Sequence, residues 1–114
     1  MKLLLIDDEA MITDLVKTMI TQRFPDWEVV VEATLSGAMS RLDERFDVIL
    51  TDYNLPDGRG TIFIKALRRE GFAGRIILMS GLDAEEAKVV GQNVGISTFL
   101  QKPFMPAELF AALA

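Results

Sequence analysis

Five short apolar runs recur along the chain, and polar residues follow each of them. Runs of this length are typical of strands buried on both faces of a parallel sheet, because such strands meet apolar neighbours above and below. The predicted strands cover residues 3–6, 27–31, 47–51, 75–79 and 96–100.

Each run is followed by a segment whose apolar residues recur every three or four positions, the spacing of a helix with one buried face. We expect Ser36 to cap the second helix, Gly71 to end the third, and Asp83 with Glu86 to open the fourth. Pro106 suits the first turn of the last helix. The residues expected to face the core are Ile12, Leu15, Val16, Met19 and Ile20 in the first helix, Ala38, Met39 and Leu42 in the second, Phe63, Ala66 and Leu67 in the third, Ala87, Val90 and Val94 in the fourth, and Leu109, Phe110 and Leu113 in the last.

Strand and helix therefore alternate five times with short connections, which predicts parallel strands joined by right-handed crossovers. Five units are too few for a closed eight-stranded barrel, so we expect an α/β fold with an open, doubly wound, five-stranded sheet and helices on both faces. The 114 residues are expected to form one domain over residues 1–114, and half of them are hydrophobic, enough for a core.

Composition narrows the function classes. The net charge of -5 argues against non-specific binding to nucleic acid or to an anionic membrane surface, and the first apolar run is too short for a membrane span or signal peptide. The chain has no cysteine, which removes thiolate chemistry and fits our expectation of a cytoplasmic protein. It also has no histidine, so any phosphohistidine in its chemistry belongs to a partner.

Polar residues stand at the carboxyl ends of four of the predicted strands. They are Asp7 and Asp8 after the first strand, Asp52 after the third, Ser80 after the fourth and Lys102 after the fifth. Carboxyl ends of parallel strands share one edge of the sheet, where doubly wound folds bind ligands. Each residue alone fits a helix cap, a turn or a solvated surface, but together they predict one functional site.

The chemistry of this predicted site is that of carboxylates and a cation. Three carboxylates at one edge repel one another, which raises their pKa values unless a cation neutralises them. Oxygen ligands without histidine or cysteine select Mg²⁺, with Mn²⁺ as the alternative, over zinc. We therefore expect Asp52 to be a nucleophile that forms an aspartyl phosphate, assisted by the charge of Lys102 and the hydroxyl of Ser80.

Four segments, in this order and at these spacings, carry a specific resemblance to a known family. They are LLLIDDE, DVILTDYNLPDGRG, IILMSG and FLQKPF. From Leu3 to about Phe110 the chain resembles the response-regulator receiver domain of two-component signalling, of the chemotaxis-regulator type. The resemblance implies a flavodoxin-like sheet with the strand order 2-1-3-4-5.

The resemblance also assigns roles to the acidic residues. Asp52 matches the phosphoacceptor, and Asp7 and Asp8 match the acidic pair that binds Mg²⁺ together with it. Asn54, two residues past Asp52, would give its backbone carbonyl to the metal.

Other matched residues would respond to the phosphoryl group. Ser80 matches the hydroxyl residue that moves toward it, here a serine where threonine is commoner, and Lys102 matches the lysine that pairs with it. The Lys102–Pro103 bond matches one that is usually cis in the family. Phe99 falls at the aromatic switch position, where tyrosine is frequent. An ordinary core aromatic is an equal alternative for Phe99, because phenylalanine has no hydroxyl to bond.

The function implied is a phosphorylation-activated switch, whose only reactions would be self-phosphorylation and self-dephosphorylation at Asp52. A partner histidine kinase or histidine phosphotransfer protein would supply the phosphoryl group. An output domain or effector protein would be controlled through the surface formed by the fourth helix, fifth strand and fifth helix, without direct contact to nucleic acid or membrane. A phosphorylation-dependent homodimer is a further option.

Two other functions stay open at this point. A Mg²⁺-dependent phosphohydrolase of the haloacid dehalogenase type would also use Asp52 as its nucleophile, but it needs a second aspartate where this chain has Asn54. A pseudo-receiver would serve as a docking module without being phosphorylated, and the complete set of site residues counts against it.

Two further stretches are expected to have no chemical role. The Pro56-Asp57-Gly58 turn reads as scaffolding for the loop after Asp52. The basic face formed by Lys65, Arg68 and Arg69 on the third helix reads as solvated surface, with contact to DNA as the minor alternative.

Overall fold

The computed structural model describes residues 1–92 and 94–114, which form one five-stranded sheet, a small hairpin and five helices. The strands are β1 (Lys2–Ile6), β2 (Glu28–Glu32), β3 (Val48–Asp52), β4 (Asn54–Leu55), β5 (Gly58–Arg59), β6 (Arg75–Ser80) and β7 (Thr98–Gln101). The helices are α1 (Ala10–Arg23), α2 (Leu35–Met39), α3 (Gly60–Arg69), α4 (Ala84–Gln92) and α5 (Pro106–Leu113).

The main sheet is parallel throughout, with the strand order β2-β1-β3-β6-β7. Because β6 and β7 are the fourth and fifth of the predicted strands, this is the expected order 2-1-3-4-5, and the prediction of a doubly wound α/β fold is confirmed. The register pairs Ile6 with Thr51, Asp52 with Met79 and Ser80 with Gln101. The carboxyl ends of β1, β3, β6 and β7 therefore lie together at one edge of the sheet.

Helices cover both faces of the sheet, because successive strand residues point to opposite sides and both sides are apolar. Helices α1 and α5 cover one face, where Leu3, Leu5 and Leu50 contact Val16 and Leu109. On the other face Leu4, Ile6, Ile49, Ile76 and Leu78 pack with the side chains of α2 and α3, and with Val90 of α4. No helix among the described residues is long and apolar enough to cross a membrane.

Three helix predictions are wrong, the first being that Leu42 belongs to the second helix, because α2 ends at Met39. Leu15 was expected in the core, but it is 57% exposed, and Thr13 is buried in its place on the α1 face centred on Val16. The second helix is capped by Thr34 rather than Ser36, because α2 begins at Leu35 and the Thr34 hydroxyl accepts the N–H of Gly37 at 2.9 Å.

Several element boundaries also differ from the predictions. Asp52 and Ser80 are the last residues of β3 and β6, not the first residues of the following loops. Strand β7 begins two residues later than expected, after Ser97, whose N–H and hydroxyl bond the backbone of Ile76. Val94 is buried as predicted, but it lies beyond the end of α4, and residue 93 is outside the described residues.

The turn after Asp52 is more ordered than expected. Asn54 pairs with Arg59 and Leu55 with Gly58 in a two-stranded antiparallel hairpin, β4–β5. Leu55 is buried and anchors the hairpin to the core, while Asn54 is exposed at the carboxyl edge of the sheet. The loop that follows the candidate reacting residue is thus a defined piece of structure.

The expectation that Arg68 is part of a solvated basic face is wrong. Its guanidinium donates to the carbonyl oxygens of Phe72 at 2.8 Å, Gly74 at 3.1 Å and Gly95 at 2.7 Å. Lys65 and Arg69 are exposed, as predicted. Arg68 therefore joins the loop after α3 to the loop that leads into β7.

Gly60, the first residue of α3, lies against the backbone of Asp52. A Cβ built on Gly60 would overlap the carbonyl oxygen of Asp52, and the Thr51 hydroxyl would lie 2.9 Å away. The amide of Gly60 also donates to the carbonyl of Tyr53 at 2.7 Å. The start of α3 and the end of β3 can approach this closely only because residue 60 has no side chain.

We predict that Gly60→Ala destabilises the fold by about 1–3 kcal/mol, because backbone atoms must shift to admit the methyl group. Alanine is otherwise the better helix former, so the sign of the effect separates the close contact from helix propensity. Urea unfolding measures the change. Gly81→Ala is the matched control, since a Cβ there meets nothing within 4 Å, and it should change stability by less than about 0.5 kcal/mol.

Candidate functional site

Three carboxylates meet at the carboxyl edge of the sheet, as the sequence predicts. Asp7 directly follows β1, Asp52 ends β3, and Asp8 is next to Asp7. One carboxylate oxygen from each lies within 4.8 Å of the others. Asp7 and Asp52 are buried, with 1% and 7% of their surface exposed, whereas Asp8 faces solvent.

Lys102 brings a positive charge into this cluster from the far side. Its Nζ lies 2.8 Å from Asp7 Oδ2 and 3.2 Å from Asp52 Oδ2. The backbone places it there, because Lys102 N–H donates to the carbonyl of Ser80 at 2.7 Å just beyond the β6–β7 ladder. The Lys102–Pro103 peptide bond is cis, as the resemblance implies.

The electrostatics of the cluster follow from burial and from this ammonium. Burial raises the pKa of Asp52; the charge of Lys102 opposes the rise, and the charge of Asp7 adds to it. Burial tends to lower the pKa of Lys102, but the hydrogen bond to Asp7 and the charges of Asp52 and Asp7 outweigh it, so that pKa is raised. The sequence predicts that repulsion from the other carboxylates raises the pKa of Asp52. In the structure, burial raises this pKa more than the charge of Asp7 does.

The donor set suits a hard cation. All three acidic residues offer carboxylate oxygens, and the chain has no histidine or cysteine to favour a softer metal. The buried position of Asp7 and Asp52 beside the exposed Asp8 leaves one side of the cluster open to solvent. The residues present therefore fit an ion such as Mg²⁺.

Ser80 and Phe99 lie next to this edge without a hydrogen bond to the carboxylates among the described contacts. The Ser80 hydroxyl is buried and accepts the N–H of Leu82 at 3.0 Å. Phe99 pairs with Leu78 across the β6–β7 ladder and is partly buried against the core face of α2 and α3. This placement agrees with the core interpretation of Phe99, and its switch role stays a prediction.

Asn54 stands at the start of the hairpin, two residues from Asp52. A hydrogen bond from its backbone N–H lowers the pKa of Asp52, against the larger effect of burial. The hairpin therefore touches the Asp52 carboxylate through its backbone. The side chain of Asn54 is exposed.

Sequence reasoning missed one acidic neighbour. Glu9 Oε1 lies 3.8 Å from Lys102 Nζ, and its backbone N–H donates to Asp7 Oδ1 at 3.0 Å. The signal was the run Asp7-Asp8-Glu9 itself, but nothing in it distinguishes which acids turn toward the strand end. The backbone bond from Glu9 orients the Asp7 carboxylate.

An apolar groove adjoins the site on the α1 side. It has a volume of about 560 Å³ and runs between α1 and the segment from Lys102 to Pro106. Glu9 and Lys102 line its end nearest the carboxylates, and Leu15 and Phe104 line its apolar walls. Leu15, whose exposure the sequence does not predict, lines this groove.

The fold and the site together match a known class of protein. A family model for the response regulator receiver domain matches residues 3–114. The chain belongs to this family, and the resemblance seen in the sequence is confirmed. Its role is that of a receiver domain in two-component signalling.

Particular relatives support the assignment. The chain is 33% identical over 115 residues to the phosphate regulon transcriptional regulatory protein PhoB of Escherichia coli K12, covering 98% of the chain and 49% of PhoB. It is 30% identical over 112 residues to the transcriptional regulatory protein CpxR of the same organism, covering 98% of the chain and 47% of CpxR. The chain thus spans about half the length of these relatives.

Solved structures agree with the fold. The chemotaxis response regulator CheY4 of Vibrio cholerae superposes with a TM-score of 0.88 at 31% identity, covering 98% of this chain and 94% of CheY4. The BeF3-activated N-terminal receiver domain of RstA from Klebsiella pneumoniae gives a TM-score of 0.86 at 26% identity, covering 99% and 95% of the two chains.

We predict that Asp52→Asn raises the free energy of unfolding at pH 7 in the absence of divalent cations. The pKa of Asp52 is higher in the folded than in the unfolded chain, so its protonated form stabilises the fold at low pH, and this contribution is lost as the pH rises through the folded pKa. The variant should therefore exceed the parent in free energy of unfolding at pH 7. This difference should shrink as the pH falls through the raised pKa of Asp52 toward the usual aspartate value.

Urea unfolding at several pH values measures this prediction. Asp26→Asn, at an exposed carboxylate away from the sheet edge, serves as the control and should stay within about 0.5 kcal/mol of the parent. The prediction is contradicted if Asp52→Asn is less stable than the parent at pH 7. In that case the attraction of Lys102 for the Asp52 carboxylate would exceed the free-energy cost of burying its charge.

Proposed function

We propose that Asp52 is the phosphoacceptor of this receiver domain. The single observation that carries the proposal is the meeting of Asp7, Asp8, Asp52 and Lys102 at the end of the central strand. Asp52 is the buried acid on β3, and an amide and an ammonium already contact it. It is therefore held in one orientation for attack.

We propose that Asp7, Asp8 and Asp52 hold a Mg²⁺ ion, together with the backbone carbonyl of Asn54. When bound, Mg²⁺ neutralises negative charge on phosphoryl oxygens and favours their approach to a carboxylate. Mn²⁺ has the same preference for oxygen ligands and is the expected substitute.

In the proposed reaction an Asp52 carboxylate oxygen attacks the phosphorus of a phosphohistidine on a partner protein. The bond from phosphorus to the imidazole nitrogen breaks, and the nitrogen keeps the electron pair and is protonated by solvent. Lys102 stands within reach of Asp52 and can pair with a phosphoryl oxygen as charge collects there. Hydrolysis of the acyl phosphate by water later restores the carboxylate.

The phosphoryl group would also act on Ser80. Phosphorylation adds about -1.5 to -2 charge at neutral pH and supplies strong hydrogen-bond acceptors. The Ser80 hydroxyl now accepts from Leu82, and rotating toward the phosphoryl group as a donor would release that bond. The loop from β6 to α4 would then shift, and with it the surface formed by α4, β7 and α5, biasing a two-state equilibrium.

The apolar groove between α1 and the Lys102–Pro106 segment is the proposed docking place for the phosphodonor. It opens beside Lys102 and Glu9, so an apolar helix seated on it would bring a histidine to the carboxylates. Leu15 at 57% exposure supplies an apolar contact without cost to the core. A histidine kinase or histidine phosphotransfer protein provides the histidine that this chain lacks.

The controlled output is proposed to be another domain or a separate effector that binds the α4–β7–α5 surface. The relatives PhoB and CpxR are transcriptional regulators about twice as long as the chain, so we propose the same pairing of receiver and output here. A homodimer formed on phosphorylation is compatible with this surface. The phosphohydrolase and pseudo-receiver alternatives are not favoured by the family assignment.

We predict that the domain gains one phosphoryl group when it is incubated with Mg²⁺ and a small acyl-phosphate donor, and that Asp52→Asn abolishes the gain. The physical reason is that an amide oxygen is a poor nucleophile and cannot form the acyl phosphate. Intact mass spectrometry measures the added mass. Asp26→Asn should label like the parent, and equal labelling of Asp52→Asn would refute the assignment of Asp52.

We predict that Leu15→Asn slows phosphoryl transfer from a protein donor about tenfold, as expected when an apolar contact is lost from an interface. Transfer from a small acyl phosphate should be unchanged, because that donor does not need the groove. The protein donor would be the histidine kinase that phosphorylates the parent domain fastest in a panel. Ile62→Asn, at an exposed apolar residue of α3, is the matched control. Equal slowing with both donors would contradict docking at the groove.

A further inference from the structure

The turn of the β4–β5 hairpin is tied to the start of α2 by one carboxylate. Asp57 Oδ1 accepts the backbone N–H of Leu35 at 2.7 Å, and Asp57 Oδ2 accepts that of Ser36 at 2.9 Å. These two residues are the first two of α2, twenty-two and twenty-one positions earlier in the chain. The contact therefore joins two elements that are far apart in sequence.

The two bonds complete the hydrogen bonding of the first turn of α2. The next amide, that of Gly37, donates to the hydroxyl of Thr34 at 2.9 Å, and the amide of Ala38 donates to the carbonyl of Thr34 at 3.1 Å. A helix leaves its first amides without intrahelical partners, and here they are shared between a local cap and a distant one. Of these two caps, Asp57 is the one that links α2 to the hairpin.

Packing supports the same connection. A Cβ built on Gly58 would lie 2.7 Å from Leu35 Cδ2, so the Leu35 side chain closes directly over the glycine. The backbone N–H groups of Ser36 and Leu35 also lower the pKa of Asp57, because they bond its charged form. The turn and the helix start thus fit each other by shape and by charge.

The hairpin held in this way carries a group of the functional site. Asn54 opens the hairpin, and its amide contacts Asp52. At its base the hairpin is fixed by the bond from Tyr53 N–H to the Met79 carbonyl at 2.9 Å and by the bond from Gly60 N–H to the Tyr53 carbonyl at 2.7 Å. At its tip, Asp57 supplies the hydrogen bonds that attach it to the rest of the domain among the described contacts.

We propose that Asp57 is a positioning residue for the metal site: by clamping the hairpin tip to α2 it sets the place of the Asn54 carbonyl. This rests on the proposed role of Asn54 as a metal ligand. Groups that orient a ligand without touching the metal change metal affinity when they are lost. Since coupling between two sites is reciprocal, metal binding should in turn tighten the clamp at α2.

The first test compares Mg²⁺ affinity, measured by isothermal titration calorimetry, in two variants. Asp57→Ala removes the distant cap, and Thr34→Ala removes the local cap of the same helix while leaving the hairpin attached. We expect Asp57→Ala to weaken Mg²⁺ binding about tenfold and Thr34→Ala to leave it unchanged within about twofold. Asp57→Asn keeps one acceptor oxygen and should fall between Asp57→Ala and the parent.

The second test reads the clamp directly by amide hydrogen exchange. In the parent, saturating Mg²⁺ should slow exchange at Leu35 and Ser36, and in Asp57→Ala the same amides should exchange faster and no longer respond to Mg²⁺. Thr34→Ala should retain the Mg²⁺ response.

Equal Mg²⁺ affinity in Asp57→Ala and the parent would overturn the inference. The same holds if Thr34→Ala weakens binding as much as Asp57→Ala, which would reduce the effect to helix stability. A parent protein that binds no Mg²⁺ would instead refute the proposed metal site, so the two failures are distinguishable.

Discussion

The contact between Lys102 and the carboxylates of Asp7 and Asp52 is the interaction on which the functional edge depends. Two acids that are almost fully buried would be costly to ionise without an opposite charge at hydrogen-bond distance. Lys102 lowers that cost, but one positive charge does not neutralise the whole acidic cluster, because Asp8 and Glu9 add negative charge nearby. The result is a site with surplus negative charge, which a bound divalent cation would offset.

The parallel register makes this arrangement attainable. Asp7 follows β1, Asp52 ends β3 and Lys102 follows β7. They are far apart in the chain, yet their strands end at the same edge of the sheet. The helices on both faces bury the sheet, so chemistry can occur only at its ends. Glycine at position 60 then allows α3 to start directly against the Asp52 backbone.

Much of this could be predicted from the sequence, because apolar runs and the polar residues that close them mark both the strands and the site. Other features depend on partners that are remote in sequence. The sequence predicts Asp57 as a turn residue, and its contact with α2 is visible only in the folded structure. Likewise it predicts Arg68 as solvated, because the carbonyls of Gly74 and Gly95 that it binds are distant from it in the chain or in a loop. Leu15 fits a core face by spacing, but the rotation of α1 on the sheet decides its exposure.

Arg68 ties together two loops at the end of the domain that lies away from the carboxylates. Its bonds hold together the loops that precede β6 and β7, at the edge opposite the carboxylates. The carboxyl side of α4 leads into one of those tied loops, whereas its amino side follows the loop that begins after Ser80. If the loop after Ser80 were displaced, Arg68 would still anchor the loop that contains Gly95, so the first turn of α4 would have more freedom to shift than the base of the sheet.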